Sequence, residues 1–192
     1  MNKKLVIGVI AAVVVIAGTT GILVANKDDT SSDGLITNTG TSNEDSSGKK
    51  MGITKACDLF TLAEAKQFMG EATTLGDTTE PAESDDIIVD TCTYTNNATT
   101  VPDIRTATVM VRSAKTDDGM DNNNESFETG GAANPAGAVA VDGYGEKAFW
   151  DPTLHQLAVL DGNKWIGVVY GSTNIANSTL DDVKKVADLV FN

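Results

Sequence analysis

The sequence predicts an α+β fold: an antiparallel β-sheet packed by an N-terminal and a C-terminal helix, preceded by a single transmembrane helix. Three observations carry that prediction. Apolar residues recur at helical spacing near both ends of the region after residue 51, and segments of period-two alternation fill the interval between them. Ahead of all this, residues 5–25 form one uncharged, mostly apolar run.

That run reads LVIGVIAAVVVIAGTTGILVA. About 20 predominantly apolar residues rising ~1.5 Å each match a hydrocarbon core ~30 Å thick, so the segment can cross a bilayer as one helix. Lys3 and Lys4 precede it, whereas Lys27 is followed at once by Asp28 and Asp29. Positive-inside bias then makes 1–4 a cytoplasmic tail and places everything beyond the run outside the cell membrane. A cleaved secretory signal peptide is the competing reading, because the leading segment is short and basic and Ala17, Gly18, Gly21 and Ala25 are small. The run exceeds the usual apolar core of about 7–15 residues and no convincing A-x-A site follows, which favours an uncleaved anchor.

Residues 26–51 are dominated by Ser, Thr, Asp, Asn and Gly, with Leu35 and Ile36 as an isolated apolar pair. Such a stretch cannot bury enough surface to offset chain entropy and reads as a disordered acidic linker. A flexible coil of about 25 residues spans about 25–30 Å. The folded domain is expected over 52–192, a normal size for one domain with a real core.

The net charge is −13, and no acid precedes Asp28. Without Lys3 and Lys4, 12 of the 14 basic residues face 27 acidic ones, which is about −15 for the outer part. That argues against nucleic acid and anionic lipid as partners, since both need clustered Lys and Arg. Cys57 and Cys92 are the two cysteines. In an exported domain they read as one disulfide closing a loop of about 35 residues, worth roughly 3 kcal/mol and tying the first helix to an early strand. Two cysteines and a distant His155 do not supply four zinc ligands at customary spacing, and redox catalysis lacks its C-x-x-C pair.

Element by element, the first helix spans 61–69, opened by Thr61 with Glu64 three residues on as a capping box and stopped by Gly70. Leu62, Ala65, Phe68 and Met69 share one of its faces. Strands follow at 90–95 and 104–113, the second alternating Thr106, Thr108, Met110 and Arg112 with Ala107, Val109 and Val111. They pair through a turn at 96–102. The segment 114–135 is polar and reads as an irregular loop with a helical turn or two at 124–127. Four further strands are expected at 139–141, 146–150, 154–160 and 164–170, the last two joined by Asp161, Gly162 and Asn163 as a hairpin. The closing helix, 180–190, is capped by Ser178 or Thr179 and presents Leu180, Val183, Val186, Ala187 and Val190 as its stripe.

Three stretches carry a resemblance to a known family. They are Cys57-Asp58-Leu59-Phe60-Thr61 leading to Glu64 and Gly70, then Cys92-Thr93-Tyr94, then the run Gly143-Tyr144-Gly145-Glu146-Lys147-Ala148-Phe149-Trp150. In this order and spacing, across most of 56–190, they resemble the DUF3558-type extracytoplasmic lipoproteins of actinobacteria. The resemblance implies an α+β domain with a Cys57–Cys92 disulfide, similar in outline to extracellular sensor domains of membrane kinases. It brings no catalytic residues. The chain departs from that family in having a membrane helix where a lipobox would stand.

No nucleophile elbow, zinc-protease, P-loop or dinucleotide-binding pattern occurs. His155 reads as an exposed strand histidine with no identifiable orienting partner. The acidic run Asp117, Asp118, Asp121 to Glu125 invites calcium, but a calcium loop begun at Asp121 places Ser126 where glycine is needed, so a solvated loop is expected instead. The N-glycosylation triplets at Asn97, Asn124 and Asn177 read as incidental. The candidate binding residues are Tyr144, Phe149, Trp150 and Trp165, the aromatic stock of the C-terminal strands. Phe149 and Trp150 must point to opposite faces, and an exposed Trp150 beside Tyr144 would floor a groove. The expectation is a non-enzymatic, membrane-anchored extracytoplasmic binding or sensor-like module with no cofactor or metal. Its partners are the membrane and an envelope ligand or protein, and the alternative is a structural cell-envelope protein.

Overall fold

The computed structural model describes residues 51–100, 103–130, 137–172 and 178–192, all within one compact unit. The expected membrane helix and nearly all of the linker lie outside the described residues. Among those described, no helix is long and apolar enough to cross a membrane.

In chain order the elements are α1 (Ala56–Leu59), α2 (Leu62–Met69), β1 (Thr74–Leu75), β2 (Ala82–Glu83), β3 (Ile87–Thr95), β4 (Arg105–Ala114) and α3 (Asp117–Glu125), which runs into a π-helical turn, Ser126–Gly130. Then follow β5 (Val139–Ala140), β6 (Lys147–Asp151), β7 (Gln156–Asp161), β8 (Lys164–Ser172) and α4 (Leu180–Val190). The strands form one antiparallel sheet in the order β1, β3, β4, β8, β7, β6, β5, with β2 also pairing to β3. An α+β domain with flanking helices is therefore what the sequence encodes.

Period-two alternation decides which face each strand buries. Cys92, Tyr94, Ala107, Val109, Val111, Ile166 and Val168 point to one face, where they meet Leu157, Val159 and Trp150. There α1, α2 and α4 cover them, burying Ala56, Phe60, Ala65, Val183, Val186, Ala187 and Val190. Each fully buried valine is worth about 1.5 kcal/mol, so the α4 stripe alone accounts for several kcal/mol of docking. The helix ends follow local chemistry. The Thr61 amide donates to Glu64 Oε2 at 2.7 Å while the Glu64 amide donates to Thr61 Oγ1 at 3.3 Å, completing the capping box. Gly70 ends α2 at φ +105°, a value that favours glycine. Of the two proposed caps for α4, Thr179 serves, its hydroxyl accepting from the Asp182 amide at 3.2 Å.

Cys57 and Cys92 are bonded, with their Cα atoms 5.1 Å apart, which ties α1 to β3. Beside the bridge the Tyr94 hydroxyl donates to the Phe60 carbonyl at 2.9 Å, and the two rings meet edge-on at 5.4 Å. Main-chain turn, disulfide and aromatic pair thus lock the same corner.

Two expectations are corrected here. The polar segment after β4 is not an irregular loop: Asp117–Glu125 is helical, because the Thr116 hydroxyl accepts from the Gly119 amide at 3.1 Å and Asp117 and Asp118 sit in the first turn, where the helix dipole favours acids. Packing supplies the rest. Asn123 is fully buried and its Nδ2 donates to the carbonyls of Arg112 and Asn163, both at 3.1 Å. His155 is not an exposed strand residue; it ends the turn before β7 at φ +51°, half-buried, with Nδ1 donating to the Ser178 carbonyl at 2.8 Å.

Candidate functional site

The four aromatic candidates do not converge. Trp150 is 8% exposed and belongs to the core under the helices, its ring edge-on to His155 at 6.0 Å. Tyr144, in the turn before β6, packs on Phe191 and its hydroxyl donates to Asp188 at 2.6 Å. Burial, then that hydrogen bond and the Asp188 charge, push its phenol up to about 12. Phe149 and Trp165 lie on the other face, joined through Phe127, whose ring centre is 5.9 Å from Phe149 and 5.7 Å from Trp165. Phe127 comes from the π-helical turn, so the segment read as loop provides the lid of this second, smaller core.

That lid covers only one end of the second face. Cross-strand register lays the rest out in rows: Val89, Arg112 and Trp165; then Thr91, Met110, Gly167 and Ala158; then Thr93, Thr108, Val169 and Gln156. The β3 and β4 members of these rows are half-buried, consistent with a sheet face left largely uncovered among the described residues. Thr93 and Thr108 share a hydroxyl hydrogen bond of 3.1 Å across the strands.

Two polar side chains stand out on this face. Arg112 rests its guanidinium over the Trp165 ring, 5.7 Å from the centroid, and donates through Nη2 to Asn122 Oδ1 at 2.6 Å. Lys115, Lys147, Lys164 and Lys185 pair with Glu83, Glu128, Asp161 and Asp182, whereas among the described residues Arg112, like Lys55, Lys66 and Lys184, has no carboxylate partner. Burial lowers its pKa from the ordinary arginine value, a desolvation cost that no ion pair offsets. Gln156 is 7% exposed. Its carboxamide lies on Gly167, where a Cβ would stand 2.4 Å from Gln156 Nε2 and 3.4 Å from Met110 Cε. Among the described residues that carboxamide has no hydrogen-bond partner. A glycine in the central strand β8 therefore makes the hollow that seats Gln156.

Sequence reading missed Gln156, Gly167 and Arg112. The available signal was one amide opening the apolar run of β7 and one glycine inside that of β8, which pairing places near each other. Among the described residues no group of three or more His, Cys, Asp or Glu could hold a metal ion. Asp117 and Asp118 instead belong to the first turn of α3.

No protein family, curated protein or solved structure matches the chain.

Proposed function

We propose that this chain is a membrane-anchored extracytoplasmic binding or sensor-like module, without catalysis of its own, that meets its ligand on the uncovered sheet face. The observation that carries this reading is the half-buried polar face itself, on which Arg112 lies over Trp165 with no carboxylate partner among the described residues and the Trp165 indole Nε1 is buried without a hydrogen-bond partner among them. Polar groups that a fold leaves within reach of solvent are free to meet an external partner. The disulfide supports an oxidising compartment, and the apolar run 5–25 supports attachment to the membrane. The motif likeness to DUF3558-type extracytoplasmic proteins points the same way.

A structural cell-envelope role is the second reading. Val139 on β5 is 52% exposed and Leu75 on β1 is 43% exposed, at opposite edges of the sheet, a placement that suits lateral contact between subunits. One experiment separates the two. A photoreactive residue replacing Thr108 on the open face or Val139 on the edge is activated in intact cells; adducts from position 108 favour ligand capture, and adducts from 139 alone favour assembly. Orientation is checked with Thr39→Cys and a membrane-impermeant thiol reagent. Labelling of intact cells is expected, and labelling only after lysis refutes the outward placement.

A further inference from the structure

We infer that Asp142–Gly143 is a modification site, the step at which the folded domain isomerises, its aspartate passing through a cyclic imide to isoaspartate. The inference goes beyond both functional readings above and depends on neither.

The chemistry needs an aspartate followed by a residue whose own amide nitrogen is unhindered, and glycine, having no Cβ, hinders it least. The chain has four Asp-Gly steps, beginning at Asp33, Asp118, Asp142 and Asp161. Asp33–Gly34 lies outside the described residues. The other three share the same two residues, and the fold treats them differently. Asp118 stands in the first turn of α3, where the Gly119 amide donates to Thr116 Oγ1 at 3.1 Å and Gly119 itself is buried against the Asp86 carbonyl. Asp161 pairs with Lys164 at 3.3 Å, and the Gly162 amide donates to Glu146 Oε1 at 3.1 Å. Asp142 and Gly143 are both exposed, and among the described residues neither has a hydrogen-bond or ion-pair partner. A Cβ built on Gly143 would meet nothing within 4 Å. The two residues form a crest held only at its ends, by the Val141 amide on the Ala148 carbonyl at 2.9 Å and by Tyr144 on Phe191 and Asp188.

The reaction is a condensation followed by a hydrolysis. The Gly143 nitrogen attacks Asp142 Cγ; a C–N bond forms, the Cγ–O bond breaks, and the carboxyl's hydroxyl leaves with the amide proton as water. Because a hydroxyl must leave, mildly acidic solution favours the step. Water then opens the five-membered imide at either carbonyl. Opening at Cγ restores aspartate. Opening at the main-chain carbonyl leaves Gly143 joined through Cγ, with unchanged mass and one more atom in the backbone. Nothing is oxidised or reduced, and water is the only co-reactant. A glycine amide already engaged must first give up its bond, and where the acceptor is a carboxylate, as for Gly162, that slows attack by about tenfold or more. Gly143 carries no such restraint among the described residues.

The test keeps the full chain in detergent micelles for weeks at mildly acidic pH, beside a second sample in urea. Trypsin cleaves after Lys115, Lys147 and Lys164, so one peptide carries Asp118 and Asp142 and the next carries Asp161. Electron-transfer fragmentation then locates isoaspartate residue by residue. In the folded chain, isoaspartate at 142 should exceed that at 118 and at 161 by about tenfold or more. In urea the three steps should come within severalfold of one another. Gly143 stands at φ +95°, where another residue would strain the turn, so the variant is placed on its neighbour: Asp142→Glu, which would need a six-membered imide, should abolish the signal there. Glu146→Ala frees the Gly162 amide and should raise isoaspartate at 161 severalfold.

Equal isoaspartate at the three steps of the folded chain overturns the inference, as does more at 118 or 161 than at 142. So does a chain that forms isoaspartate at 142 in urea but not when folded, or the same preference for 142 in both samples, or no rise at 161 in Glu146→Ala.

Discussion

Replacing Gly167 by alanine should destabilise the protein, and the same replacement should stabilise it once Gln156 has been removed. Glycine inside a strand costs roughly 0.5–1 kcal/mol relative to alanine, so with free space the substitution would gain that amount. Space is not free: the new Cβ would stand 2.4 Å from Gln156 Nε2, closer than real Cβ contacts allow, and a tight 3.2 Å from its Cδ. The side chain must swing out, returning two methylenes to water at about 0.8 kcal/mol each. Moving the carboxamide forfeits no hydrogen bond within the described fold, so the net loss is about 0.5–1 kcal/mol. In a Gln156→Ala background the next neighbour is Met110 Cε at 3.4 Å, an acceptable contact, and Gly167→Ala should then gain about 0.5–1 kcal/mol. Urea denaturation of the wild type, both single variants and the double variant gives the coupling directly, expected near 1.5 kcal/mol. Additivity within about 0.5 kcal/mol would refute the claim that glycine exists here to seat Gln156.

Other consequences follow from the core and the caps. Substituting both Cys57 and Cys92 by alanine should lower stability by about 3–4 kcal/mol from the released 35-residue loop, read as a shift in denaturation midpoint. Phe127→Ala should cost about 3–5 kcal/mol, since that fully buried ring joins Phe149 and Trp165, and near-ultraviolet dichroism of Trp165 should weaken with it. Thr61→Ala should cost about 1 kcal/mol through loss of the α2 cap, with amide exchange accelerated in residues 62–65. Tyr144 has a folded pKa near 12 against an ordinary 10.0, so the folded state holds this proton more tightly. Its contribution is complete below pH 10 and declines as pH rises towards 12; Tyr144→Phe should make stability less steep in that window, and an unchanged slope would count against the Asp188 bond.

Local signals were legible wherever neighbouring residues supply the cause. The Thr61–Glu64 box, the glycine stop at Gly70, the 161–163 hairpin and the α4 stripe all act within a few residues, and each stands where its chemistry put it. The helix α3 was opaque because its sequence, DDGMDNNNE, has weak helical propensity and is held by remote partners: Asn123 on the carbonyls of Arg112 and Asn163, and Gly119 against the Asp86 carbonyl. Aromatic residues were a poor guide to the candidate site for a related reason. A tryptophan reads alike whether it floors a groove or fills a core, and Trp150 and Trp165 fill cores on opposite sides of the sheet. Gln156 and Gly167 come together through strand pairing, which the separation of β7 and β8 residues along the chain does not reveal until the register is known.

The order of strands also sets a timetable. β4 and β8, which form the middle seam, are separated in the chain by α3 and by three other strands, so their union closes a much longer loop than the pairing of β3 with β4 does. Both sulfur atoms, by contrast, precede β4. The covalent clasp and the corner around Phe60 and Tyr94 therefore need no residue of the middle seam to close, so the part of the chain that fixes this corner is complete before the strand that completes the sheet's centre has been made.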